Sequence, residues 1–392
     1  MRGICWKQAV FDCNSQATVC CAKRMAQQLH GTVPTPSRGC GKPAPCACKP
    51  TTFQCEAATG IRLTAAVFFF LAIFAASFTI GHYPVSPWTA VGILFTKFFG
   101  LAGHWDPKME IVILQIRLPR ILAATIIGAG LSCSGAAYQG MFRNPMVSPD
   151  ILGVSAGASF GAALSMLLCR NIVITQLAAF ALGMVAVGIT YLIGVVFSKS
   201  GVPILIMILC GILVGTLFHS FVSIITLVAD ANNTLPAITF WMMGSLAAIS
   251  INDLVVASGP ILLGMTGIYL LRWNLNVMAF GEEEARALGV RTNLMRIAIV
   301  CCATLATAAG VAIGGVIALV GLIVPHMARL IVGPNYRYLI PASILMGAAF
   351  LLCVDDLTRI LFLTEIPIGI VTSILGAPLF LYLLLRSRKG WV

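Results

Sequence analysis

Residues 203–229 read PILIMILCGILVGTLFHSFVSIITLVA, a run without a Lys, Arg, Asp or Glu. A hydrocarbon core about 30 Å thick takes about 20 apolar residues of α-helix per crossing, so this run is long enough to span a bilayer by itself. Outward from it, comparable runs recur over 63–81, 118–141, 150–168, 172–197, 253–271, 293–315, 316–332, 339–360 and 366–385. The sequence therefore predicts an all-α, polytopic membrane protein of about ten transmembrane helices. The stretch from Asp230 to Asn252, interrupted by Pro236, is too short to span and predicts a partial helix on the outer side. Small residues crowd several spans, as in GAGLSCSGAA (128–137) and AAGVAIGGVIALVG (308–321). Such segments let helix backbones approach closely where lipid supplies no hydrophobic drive for association.

Composition agrees. Of 392 residues, 59% are hydrophobic and 10% charged, against about 25% charged in an ordinary soluble domain. The net charge of +12 does not point to nucleic acid: eight of the 25 basic residues fall in the first 62 positions, and no basic stripe is interleaved with aromatics. Membrane orientation explains the excess. With a cytoplasmic amino terminus, inner segments collect 19 of the 25, and the outer side keeps Lys97, Lys108, Arg117, Arg120, Arg170 and Arg359. Both termini are then expected inside, as an even number of spans requires.

Residues 1–60 differ from the membrane domain at 61–392: they are Pro- and Cys-rich, polar, and lack an apolar run long enough for a signal-peptide core. They predict a disordered cytoplasmic tail, with a later start of translation, for instance at Met25, as the alternative. Cys40, Cys46, Cys48 and Cys55 with His30 contain no CxxC pair, which argues against a metal site. Eight of the 14 cysteines lie in this segment; the six of the membrane domain, Cys133, Cys169, Cys210, Cys301, Cys302 and Cys353, are expected to be small buried hydrophobes.

No GxxxxGK[ST] phosphate loop or HExxH stands in the chain. No catalytic residue is assigned, and energy for any transport must come from a partner or an ion gradient. An ion-coupled transporter keeps ionisable groups in mid-span although each costs about 2.5–3.5 kcal/mol to insert. Here the interiors are nearly free of them. His219 is the main exception and is expected to be a hydrogen-bonded packing residue. An intramembrane enzyme would need a clustered constellation, and His326, beside Arg329, has no carboxylate near it in sequence. Asp355 and Asp356 lie one helical turn before Arg359 and should pair with it at the outer rim of their span. From Asn274 the chain runs NLNVMAFGEEEARALGVR. Glu282, Glu283 and Glu284 suit a helix amino terminus, Ala285 and Leu288 give a small apolar face, and Gly289 can end the helix. This is either an ordinary loop helix or a docking knob for a soluble partner.

Taken together, these segments resemble the FecCD-type permeases of ABC importers, which carry ferric siderophores, haem and cobalamin. The matching pieces stand in order: RLPR (117–120), the G-x-x-x-S-G-A-x-x-Q run from Gly130 to Gln139, RNPMVSPDILGVSAGA from Arg143, and WMMGSL from Trp241. FGEEEARALGV from Phe280, GLIVPHMARLIVG from Gly321, the Pro341 to Asp356 span, Arg359, and EIPIGIVTSILGAPLFLYLLL from Glu365 continue the series, so the resemblance covers about residues 63–389. Ala318 and Leu319 stand where the family commonly has an aromatic, and two Asp precede Arg359 where it usually has one.

The resemblance implies a cobalamin-importer-like (type II importer) permease fold that works as a homodimer in the cell inner membrane, with the translocation path on the two-fold axis. It implies that the helix at 281–289 (Gly281, Glu282, Glu283, Glu284, Ala285, Arg286, Leu288, Gly289) couples to an ATPase subunit. ATP and Mg would be bound by that partner, leaving no cofactor in this chain. It further implies that Arg117, Arg120 and Arg359 receive acidic residues from an extracytoplasmic substrate-binding protein; Arg offers carboxylates a rigid fork. The expected cargo is a metal chelate, ferric siderophore first, with haem, cobalamin and molybdate as alternatives.

Overall fold

The computed structural model describes residues 51–100, 105–169, 171–197, 204–361 and 366–387. Most of the expected tail, including His30, Cys40, Cys46 and Cys48, lies outside the described residues, as do Arg170, Lys199, Glu365, Arg388 and Lys389. In chain order the helices are α1 (Thr51–Ser77), α2 (Pro87–Phe98), α3 (Pro107–Met141), α4 (Val154–Leu168), α5 (Ile172–Val196) and α6 (Ile204–Val228). They continue as α7 (Thr234–Met242), α8 (Ile251–Met278), α9 (Glu282–Ala287), α10 (Thr292–Gly314), α11 (Val320–Val332), α12 (Tyr336–Leu361) and α13 (Ile368–Ser387). Among the described residues there is no strand.

Seven of these helices hold a segment long and apolar enough to cross a membrane, and α4, α11 and α13 are shorter apolar helices. The ten expected spans all correspond to one of these, and α7 is the expected partial helix. Two features escaped the sequence. One is α2, twelve residues too short to register as a span. Its apolar side buries Ala90 and Ile93 while Trp88 and Phe98 stay exposed. The other is the start of α3 at Pro107, eleven residues before Leu118, through a π-helical segment at Val112–Arg117. Helix α8 also outruns its expected end at 271, because Arg272 lies on the helix surface, its guanidinium 3.7 Å over the Tyr269 ring.

Backbone groups in lipid must be satisfied locally, and helix starts meet this with side chains. Asn171 Oδ1 accepts from Val173 N (2.9 Å) and Ile174 N (3.3 Å) to open α5. Ser250 and Asp253 close a capping box on α8. At the start of α12, Asn276 Oδ1 accepts from Tyr336 N at 2.8 Å, tying the end of α8 to the new helix.

The bundle belongs to the unit Arg62–Val392, and α3 and α10 form its centre. Two-thirds (67%) of α10's most apolar window is buried, against 28% for α5. The central helices approach through glycines. A Cβ on Gly135 of α3 would overlap the carbonyl of Gly321 in α11, and one on Gly128 would overlap that of Gly347 in α12. This is what the small residues of GAGLSCSGAA do: they admit backbone where a side chain would hold the helices apart. The cysteine expectation holds for Cys133 and Cys210 only. Cys302 and Cys353 are half-buried and Cys301 is exposed, because their helices turn those faces outward, and Cys169 is exposed just past the end of α4.

Candidate functional site: two ends of the bundle and an outward polar stripe

At one end of the bundle, α1 and α12 finish and α3 begins. Asp355 and Asp356 do pair with Arg359, as their one-turn spacing predicts: Arg359 Nη2 closes on Asp355 Oδ2, and Nη1 lies 3.8 Å from Asp356 Oδ1. Asp355 is also taken from a distant part of the chain, by Arg120 Nε at 2.8 Å. Ser77 Oγ donates to Asp356 Oδ2 at 2.5 Å, and Arg359 Nη1 donates to Ser77 O at 3.3 Å. Arg117 donates to the carbonyls of Phe78 and Tyr83 in the segment after α1. That segment passes close enough that a Cβ on Gly81, at φ +145°, would sit 3.0 Å from Arg117 Nη2.

The cluster lies at the end of the bundle and is nonetheless buried. Asp355 is 0% exposed, Arg117 5% and Arg120 7%. The three arginines assigned by resemblance to a partner's carboxylates are brought to one end of the bundle. There this chain's own acids and carbonyls occupy them, since a desolvated guanidinium needs acceptors wherever it lies. The one-turn spacing revealed the Asp–Arg359 pair; nothing in the sequence linked Asp355 to Arg120 or Asp356 to Ser77.

At the other end, α9 follows Gly281 at φ +140° and closes with Gly289 at φ +82°, the left-handed stop expected of it. The expected coupling residues divide by face. Ala285 is fully buried, and Glu282 turns inward to pair with Arg296, a residue of α10 that is 2% exposed. Glu282 also lies 3.6 Å from Arg286, whose Nε donates to Thr292 Oγ1 at 3.2 Å. Glu283, Glu284, Arg286, Leu288 and Gly289 are exposed. Leu288 shows 68% of its surface, an apolar knob on a helix that also exposes Glu283 and Glu284. The expected apolar pair is thus split: Ala285 seats the helix and Leu288 is presented. Arg296 was missed because a basic residue at a span's start reads as topology.

Between the ends, His219 corrects another expectation. It is an exposed residue of α6, not a packing group, and shares an outward stripe with Thr216, Ser220 and Ser223. The hydroxyls donate back to their own helix, Thr216 to Ile212 O (2.8 Å), Ser220 to Thr216 O (2.9 Å) and Ser223 to His219 O (3.0 Å). Their lone pairs and the imidazole are left facing away from the chain.

The molybdate import system permease protein MolB of Haemophilus influenzae is 38% identical over 316 residues, 80% of this chain and 92% of that protein. The cobalamin import system permease protein BtuC of Halobacterium salinarum is 38% identical over 307 residues, 77% of this chain and 80% of its own length. A solved ABC transporter, assigned to the metal-chelate type and captured facing inward, superposes with a TM-score of 0.74 at 35% identity. It covers 83% of this chain and 98% of its own. The family model described as the FecCD transport family matches residues 68–386. This polytopic helical chain therefore belongs to the FecCD transport family of ABC importer permeases.

Proposed function

We propose that the chain is the membrane-spanning subunit of an ATP-driven importer for a metal chelate, with ferric siderophore as the first cargo to try. Two copies would form a homodimer in the inner membrane with both termini cytoplasmic. A separate ATPase subunit, binding ATP and Mg, would dock on α9 of each copy. An extracytoplasmic binding protein would deliver cargo at the opposite end, beside Arg117, Arg120 and Arg359. The observation that carries the reading is α9 itself, on which Leu288, Glu283 and Glu284 are exposed while Ala285 and Glu282 seat the helix in the bundle. A surface apolar residue ringed by charge suits a protein partner better than lipid.

The stripe on α6 supports a path at the two-fold axis. An imidazole and three hydroxyls facing hydrocarbon would be costly, whereas a water-filled path shared by two copies solvates them. Cargo would then move by ATP-driven rocking of the dimer, with no reacting group in this chain. A second reading, molybdate, is favoured by the 38% identity to a molybdate permease over most of both chains.

The test is uptake into proteoliposomes holding the chain, its ATPase and its binding protein. Radio-iron ferric hydroxamate, hemin, cobalamin and molybdate would be offered in parallel. ATP-dependent accumulation of the iron chelate supports the first reading, and accumulation of molybdate alone moves the assignment to the second. A wild-type chain that binds no ATPase and accumulates none of the four refutes the importer reading.

A further inference from the structure

Glu282 spends its carboxylate inside the protein. It opens α9, and its Oε1 meets Arg296 Nη2 in the second turn of α10. Arg296 is almost wholly buried, and its Nη1 finds no hydrogen-bond acceptor among the described residues, so its charge leans on Glu282. A buried guanidinium stripped of its acid is far costlier than the intact pair, which holds the two together through any motion of the bundle. A further tie runs the same way, Arg286 Nε to Thr292 Oγ1 at 3.2 Å. Helix α9 also packs against α8, through a turn in which Gly281 N donates to Met278 O at 3.2 Å, but among the described residues no ion pair joins those two. Helix α10 is in turn the most buried of the long spans, so its displacement repacks the centre of the bundle.

We propose that the Glu282–Arg296 pair makes α9 and α10 one mechanical body, with Arg296 as the positioning residue through which a load on α9 enters the membrane helices. The inference rests on the importer reading above and adds the route by which that reading's ATPase would act. A load arriving at Leu288 passes through the ion pair into α10 instead of bending the α8–α9 turn.

The test uses the full chain with its ATPase subunit in proteoliposomes. Spin labels at Ala287 on α9 and Cys301 on α10, both exposed positions, report the distance between the helices without nucleotide and with ATP and vanadate. In wild type the distance should be the same in both states. With Arg296→Met it should change with nucleotide by about 2 Å or more, the scale of helix shifts in switching proteins. Arg296→Lys, which keeps the charge, should restore a constant distance, a rescue that a general loss of packing would not show. Glu282→Gln breaks the pair from the other side and stands in if Arg296→Met fails to fold. A wild-type distance that moves with nucleotide overturns the inference, as does a constant distance in both charge-removing variants. Co-purification of the ATPase with the wild-type chain is read first. Its absence refutes the importer reading, an outcome distinct from an ATPase-bound complex with an unresponsive distance.

Discussion

The two ends of this bundle use the same chemistry to opposite effect. Each buries arginine against carboxylate. Where α1, α3 and α12 meet, Asp355 serves both Arg120 and Arg359, and Asp356 is held by Ser77, so both acids are taken up within the chain. At the α9 end one acid, Glu282, turns inward to Arg296 while Glu283, Glu284 and Leu288 remain outside. The first arrangement staples three helices; the second seats a short helix and leaves a face over. A run of acids in sequence does not tell which of them are spent on the fold.

The sharpest way to break this contrast is Asp355→Ala. Both Arg120 and Arg359 would lose their shared carboxylate, and removing one partner of a buried pair costs about 3–5 kcal/mol. Thermal unfolding in detergent should show it as the largest loss of the set; a loss near zero would mean that the cluster is solvated. Leu288→Asp at the other end should leave unfolding unchanged but weaken ATPase co-purification by about 2 kcal/mol or more, as expected of an apolar hot spot. A stability loss without a binding loss would show that Leu288 belongs to the fold. Ser77→Ala removes one hydrogen bond to a charged group, worth about 1.5–3 kcal/mol, and should lower the same unfolding transition without touching ATPase binding. Lys97→Ala provides the floor. The Lys97–Glu110 pair at 3.4 Å is exposed on both sides, and its loss should fall within about 0.5 kcal/mol in the unfolding assay.

Much of the fold was legible because the bilayer imposes one length and one composition on every crossing. The runs at 172–197 and 203–229 could hardly be anything but spans, and α5 and α6 lie there. Helix α2 was not legible, since twelve residues are too few to carry a comparable signal. Within the site, periodicity revealed what lies within a turn or two: Asp355 and Asp356 with Arg359, and Gly289 ending α9. Exposure was legible least. His219 was expected to pack and faces out, while Glu282 stood among the acids expected to meet a partner and faces in. A charge-free helix offers the sequence no marker for which of its sides meets protein.

By itself, then, the sequence determined membrane residence, the helical class and the places of the spans, because the cost of burying charge and unpaired backbone in hydrocarbon leaves few alternatives. The ordered motifs pointed to the family for a different reason, their specificity as a set. Only the tertiary structure decided which charges are consumed and which are offered. Arg120 and Asp355 are 235 residues apart, and Ser77 and Asp356 279. The first forms only once the glycine-mediated approach of Gly128 and Gly347 has set α3 against α12, the second only once the end of α1 lies beside α12. Coulombic partners in a desolvated interior are chosen by distance in space, which a linear sequence does not record.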